Sequence, residues 1–141
     1  MSADSCRRFF VWGVPMDATI QDLYRCANEL ANKHWGVDYT GKIELTNRKW
    51  TNRNGHFIAR SPSTHEPIIG MSRKRNAERT EEAVKGTLLH ELVHWRLYTC
   101  GIPHRDVSHE FIRECLRVGA PISKAARAQR AFEDYQAKAR R

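Results

Sequence analysis

Residues 88–95, Leu-Leu-His-Glu-Leu-Val-His-Trp, set two histidines and a glutamate inside an apolar run. Placed on a helix, His90 and His94 lie one turn apart and project from the same face. Two imidazoles at that spacing reach one zinc ion at about 2.0–2.1 Å. Glu91, next along, points toward the substrate side of such an ion, where it can take a proton from water. A chance match on a buried helix is the competing reading. The motif's mid-helix position, the strand before it and the candidate ligands after it argue for the metal.

Val84, Leu88, Leu92 and Trp95 form a separate stripe, expected to be the core face. Gly86 continues the histidine stripe without a side chain and leaves room beside the ion. A zinc site of this kind needs a third protein ligand, with the fourth position open to water. Cys100 lacks a preceding glycine to bend the chain, so it is expected to end the helix and face away. His104 and Asp106 in the following loop, and His109 at the next helix start, can each fold back.

The rest of the chain reads as α+β. Asp17 is an expected N-cap for a helix ending near Gly36, with apolar residues at Ile20, Leu23, Ala27, Leu30 and Ala31. Short strands are expected at Lys42–Thr46, Gly55–Arg60 and Ile68–Ser72, with turn residues between them. Pro67 favours an edge position for the third strand, because proline cannot donate to a sheet ladder. Thr80 with Glu81 and Glu82 opens the motif helix, which stops near Cys100. Ser108 caps a further helix closed by Gly119, and Ser123 opens a last one.

The 141 residues suit one domain, spanning 1–141, and 40% hydrophobic with 28% charged content suits a packed core. The first residues hold no apolar signal segment, and no stretch approaches the roughly 18 apolar residues of a membrane span. The chain is therefore expected to be soluble and intracellular, in cytoplasm, nucleoid or nucleus. Cys6, Cys26, Cys100 and Cys115 form no Cys-x-x-Cys pair, and are expected to be free thiols.

The net charge of +8 is uneven. Residues 48–79 carry eight basic and two acidic side chains, and residues 124–141 carry six and two, whereas the motif segment is nearly neutral. Arg73, Lys74 and Arg75 are candidate phosphate contacts, and Trp50 a candidate stacking partner for an unpaired base. A solvated loop with a core tryptophan is the plain alternative.

Residues 41–119 resemble the SprT-like (Spartan-type) zincin metallopeptidases. "NRKWTNRNGHFIAR" is similar to the family's short sheet ending in a Gly-aromatic strand, "IIGMS" to its edge strand, and "TLLHELVHW" to its active-site helix. The resemblance implies a zincin-like fold: an N-terminal helix, a three-stranded sheet, the active-site helix and two further helices, with 120–141 a basic C-terminal helix. In the family the third histidine begins a helix with an acidic-aromatic pair. "SHEF" thus offers His109, ahead of His104 and Asp106. The family's usual two-residue spacer before that pair is missing, and so is its C-terminal zinc ribbon.

The implied activity is zinc-dependent hydrolysis of peptide bonds, with Glu91 activating a water on one zinc ion per chain, directed to DNA-associated proteins. A substrate pairing with the strand at Ile68–Met71 is expected. The alternative is a nucleic-acid or protein-binding module that keeps the fold without much proteolysis. The intact Glu91 favours the enzyme.

Overall fold

Thr19 and Asp22 begin the first helix by capping each other. The Asp22 carboxylate accepts from Thr19 N at 2.9 Å, and Thr19 Oγ1 accepts from Asp22 N at 3.2 Å. The computed structural model describes residues 19–140, and α1 runs Ile20–Trp35. Gly36 ends it at φ +68°, a left-handed conformation that glycine adopts without Cβ strain. Asp17, the expected cap, lies outside the described residues.

Three strands follow, β1 (Lys42–Thr46), β2 (Gly55–Ile58) and β3 (Ile68–Ser72), in the sheet order β1-β3-β2. β1 runs parallel to β3, with Ile43 opposite Ile69, and β2 runs antiparallel to it, with Phe57 opposite Ile69. This corrects the edge expectation for Ile68–Ser72. All five of its residues are buried, and it is the central strand. Pro67 is tolerated because it precedes the ladder and offers only its carbonyl, which accepts from Lys42 N at 2.8 Å. The strand beside the motif helix, open on one edge among the described residues, is β2.

The basic run after β3 is not loop. Ser72 caps a short helix α2 (Arg73–Ala77), its Oγ accepting from Arg75 N at 3.2 Å and donating to the Arg48 carbonyl at 2.6 Å. α3 spans Glu81–Thr99, capped by Thr80 as expected. α4 spans His109–Val118 and is closed by Gly119. α5 spans Ala126–Ala139, three residues later than Ser123. Ser123 instead braces the start of α5, accepting from Ala125 N on Oγ and from Gln129 Nε2 on its carbonyl.

α3 is buried on two faces. Val84, Leu88, Leu92 and Trp95 pack with Leu23 and Ala27 of α1 and with Ile43, Ile69 and Met71 of the sheet, the expected core. Leu89, Val93 and Leu97 make a second cluster with Phe111, Cys115 and Val118 of α4. Truncating a residue as enclosed as Leu92 to alanine costs about 2–5 kcal/mol. Clamped between two clusters, α3 holds its remaining polar stripe rigidly.

The fold is a small mixed α+β arrangement of five helices and one three-stranded sheet among the described residues. No described helix is long and apolar enough to cross a membrane. Cys100 and Cys115 are free thiols, but Cys26 is disulfide-bonded, against the expectation of free cysteines.

Candidate metal centre

His90 and His94 leave α3 on the stripe between its two packed faces, and their rings meet edge to face at 5.0 Å. Their Nδ1 atoms point to backbone carbonyls. His90 Nδ1 donates to the Pro121 carbonyl at 2.7 Å, and His94 Nδ1 donates to the His104 carbonyl. A carbonyl oxygen only accepts, so both Nδ1 atoms carry hydrogen and both Nε2 atoms are left for another partner. That partner is a single atom. Asp106 Oδ1 lies 3.0 Å from His90 Nε2 and 3.1 Å from His94 Nε2.

The aromatic packing fixes these rings. Phe111 stacks on His94 with centroids 4.0 Å apart and meets the His90 ring edge-on at 5.1 Å. Phe57 of β2 lies parallel to His94 at 6.1 Å. Phe111 is fully buried, so the two imidazoles inherit the rigidity of α4. The buried Cys115 thiol of α4 also stands beside His90.

Glu91 is 6% exposed and faces the same space. One ligand atom from each of His90, Glu91 and His94 lies within 4.8 Å of the others, a group that could hold a metal ion. β2 crosses directly over Glu91. A Cβ on Gly55 would stand 2.8 Å from Thr87 Cγ2 and 3.4 Å from Glu91 Oε2, so only glycine lets the strand pass this close.

The electrostatics follow from this crowding. Burial raises the Glu91 pKa, against the neighbouring His90 and His94. Burial alone would lower the pKa of His90, but the bond to Asp106, with Cys115, Glu91 and Pro121 behind it, drives it up to about 11. Asp106 is held well below the usual carboxylate range, its own burial being outweighed by the bonds from His90 and His94.

The third-ligand expectation changes accordingly. His109 is not brought to the pair. As the first residue of α4 it turns toward α5, where Nε2 meets Asp134 Oδ2 at 3.0 Å and the ring meets Tyr135 edge-on. His104 contributes its carbonyl rather than its ring, which packs edge-on to Phe57 and against Tyr98. The side chain that reaches both Nε2 atoms is Asp106. The Pro121 and His104 carbonyls carry no side-chain signature and could not be found in the sequence. Phe111 stood there as the aromatic half of the acidic-aromatic pair in "SHEF", not as a support for the two imidazoles.

A cleft of ≈ 1450 Å³ opens over this group, between β2 on one side and the loops at 104–107 and 119–125 on the other. Gly86 lines it as expected, although a Cβ there would make only ordinary contacts with Pro121. Of the expected nucleic-acid residues, only Arg75 lines the cleft. Arg73 and Lys74 are exposed, with Arg73 Nε on Asn47 Oδ1 at 3.2 Å. Arg75 turns into the cleft and grips Asn54 Oδ1 through Nε and Nη2 at 2.9 and 2.6 Å. Trp50 packs against His56 at 5.0 Å, and the Arg53 guanidinium lies 5.0 Å from its ring centroid.

No protein-family model, curated protein or solved structure matches the chain. The likeness of residues 41–119 to SprT-like peptidases therefore rests on the motifs themselves.

Proposed function

We propose that the chain is a zinc-dependent metallopeptidase whose ion is held by His90, His94 and Asp106, with Glu91 as general base. The observation that carries this reading is the convergence of two Nε2 atoms on one carboxylate oxygen, beside a buried glutamate in an open cleft. The donor set fits zinc, which takes imidazole nitrogen and carboxylate oxygen together. Fixed Nδ1–H donors leave both Nε2 atoms oriented for ligation. When bound, zinc supplies Lewis acidity, lowering the pKa of water and polarising a peptide carbonyl.

The chain's own residues do the remainder. Glu91, its basicity raised by burial, takes the proton from the attacking water and delivers it to the leaving amine. The edge of β2 that is unpaired among the described residues offers backbone groups to an extended peptide, antiparallel or parallel, directly above Glu91. This moves the expected substrate strand from Ile68–Met71 to Gly55–Ile58. Phe111 and Phe57 hold the His94 ring and keep water from its flanks.

The test is metal analysis of purified protein together with cleavage of an unfolded protein substrate, wild type against Glu91→Gln. Zinc near one ion per chain in both, with hydrolysis only in the wild type, supports the reading. A wild-type chain that holds zinc and binds partners but cleaves nothing favours the binding-module alternative.

A further inference from the structure

The cleft is lined by six basic side chains, Arg53, Arg75, Arg79, Arg105, Lys124 and Arg127, against three acids, Glu82, Glu91 and Asp106. Two of those acids belong to the candidate centre. The end of the cleft near the start of α3 is different. There Arg75 and Arg79, four residues apart in the chain, both line the cleft, and burial together with the charge of Arg75 lowers the pKa of Arg79. Among the described residues, neither guanidinium is matched to a carboxylate by hydrogen bond. Arg75 is held by the neutral Asn54 side chain, and Arg79 donates Nη2 to the Ala83 carbonyl at 3.0 Å. Arg79 Nη1 is buried and has no hydrogen-bond partner among the described residues. Glu78 is engaged with Lys49 at 2.7 Å, and Glu82 is exposed at the rim.

We infer that Arg75, Arg79 and Asn54 form a subsite for an acidic side chain of the peptide substrate. The inference rests on the peptidase reading for its position, since it places the carboxylate a fixed distance from the cut. From Ala83, on which Arg79 sits, to His90 is seven residues of α3, roughly 10 Å of rise, or about three residues of extended peptide. Arg75 reaches the same ground from the β2 side, because Asn54 directly precedes Gly55, which overlies Glu91. Asn54 Oδ1 fixes one edge of the Arg75 guanidinium. A carboxylate between the two cations gains charge-assisted hydrogen bonds and relieves their mutual repulsion.

A nucleic-acid strand fits this end less well. Its repeated phosphates would run on toward Glu91 and Asp106, and the nearby Trp50 is packed on His56 rather than open for stacking. A single carboxylate on a peptide meets the cations without meeting the acids.

The experiment uses the full chain carrying Glu91→Gln, with binding read by fluorescence anisotropy. The probes are Ala/Ser/Gly decapeptides bearing one Glu or one Gln, and a ten-nucleotide thymidine strand. The Glu peptide is expected to bind about tenfold more tightly than the Gln peptide. Arg75→Gln with Arg79→Gln should erase that preference, Arg79→Glu should turn it toward a Lys peptide, and Arg130→Gln, an exposed cation outside the cleft, should leave it intact. Arg75→Gln alone, whose lost contacts are to a side chain only, carries the test if the double variant unfolds. Equal affinity for Glu and Gln peptides overturns the subsite. So does a thymidine strand that binds more tightly than the Glu peptide through the same two arginines. Cleavage by the wild type separates the two readings. A preserved Glu preference with no hydrolysis removes the peptidase, whereas hydrolysis indifferent to Glu removes the subsite.

Discussion

Asp106 Oδ1 lies about equally far from His90 Nε2 and His94 Nε2, at 3.0 and 3.1 Å, and joins two residues one helical turn apart to a loop twelve residues further on. No other described side chain reaches both nitrogens by hydrogen bond. His109, by contrast, is committed to Asp134 of α5.

Asp106→Ala should therefore weaken zinc binding by more than the roughly 10–100-fold typical of a residue behind the ligands. His109→Ala should leave zinc affinity unchanged and only loosen the contact between α4 and α5. Isothermal titration with zinc checks both. A larger loss from His109→Ala would return the third-ligand role to the helix start.

The reason this ranking was hard to read from sequence is local. "SHEF" carries a histidine at a helix N-terminus, but which way a first-turn residue points depends on what packs beside it, and here α5 supplies Asp134 and Tyr135. Asp106 sits in a loop without periodicity, so nothing in the sequence fixes its direction. The motif itself was legible because helical spacing alone puts His90 and His94 on one face.

Glu91→Gln should keep the fold and the metal while lowering hydrolysis by about 10²–10⁴, the usual contribution of a positioned base. The amide preserves the shape of a side chain that is almost fully buried but cannot accept the water proton. Cleavage rate and zinc content measured on the same preparation decide it. A variant with wild-type turnover would assign the base elsewhere.

Gly55→Ala tests whether β2 and Glu91 are coupled. The added methyl would arrive 2.8 Å from Thr87 Cγ2 and 3.3 Å from Glu91 Cγ, so either the strand lifts or the carboxylate moves. A displacement near 1 Å at a catalytic group lowers turnover by about 100-fold. Zinc affinity should hold, because His90, His94 and Asp106 are not touched. Loss of zinc together with activity would mean that β2 supports the whole centre rather than Glu91 alone.

The sheet shows the opposite balance of legibility. Strand boundaries at Lys42–Thr46 and Ile68–Ser72 were readable from alternation and turn residues, yet their order was not. Pro67 argued for an edge, but a proline one residue ahead of a ladder removes no bond, and Ile68, Ile69 and Met71 have the composition of a strand covered on both faces. The second cluster on α3 was missed for a related reason. Leu89, Val93 and Leu97 form a stripe as regular as Leu88 and Leu92, and only the presence of α4 shows that both are used.

The last prediction concerns the joint between α1 and α4. Glu114 Oε2 accepts from Trp35 Nε1 at 2.7 Å, and its two oxygens accept from Arg117 Nε and Nη2 at 2.6 and 2.7 Å. The Arg117 bond, opposed by burial and aided by Trp35, holds the Glu114 pKa below its usual 4.5. A carboxylate whose folded pKa is depressed contributes stability that is complete above the unfolded value and is lost as pH falls through the folded one. Glu114→Gln should therefore destabilise the chain at pH 7 by about 1 kcal/mol, discounted for partial exposure, or roughly 4 °C in Tm. The gap between wild type and variant should stay constant down to about pH 5 and shrink below 4.5 as Glu114 takes its proton. Thermal melts of both proteins from pH 7 to pH 3 measure it. A gap that persists undiminished at pH 3 would mean that shape rather than charge joins the two helices.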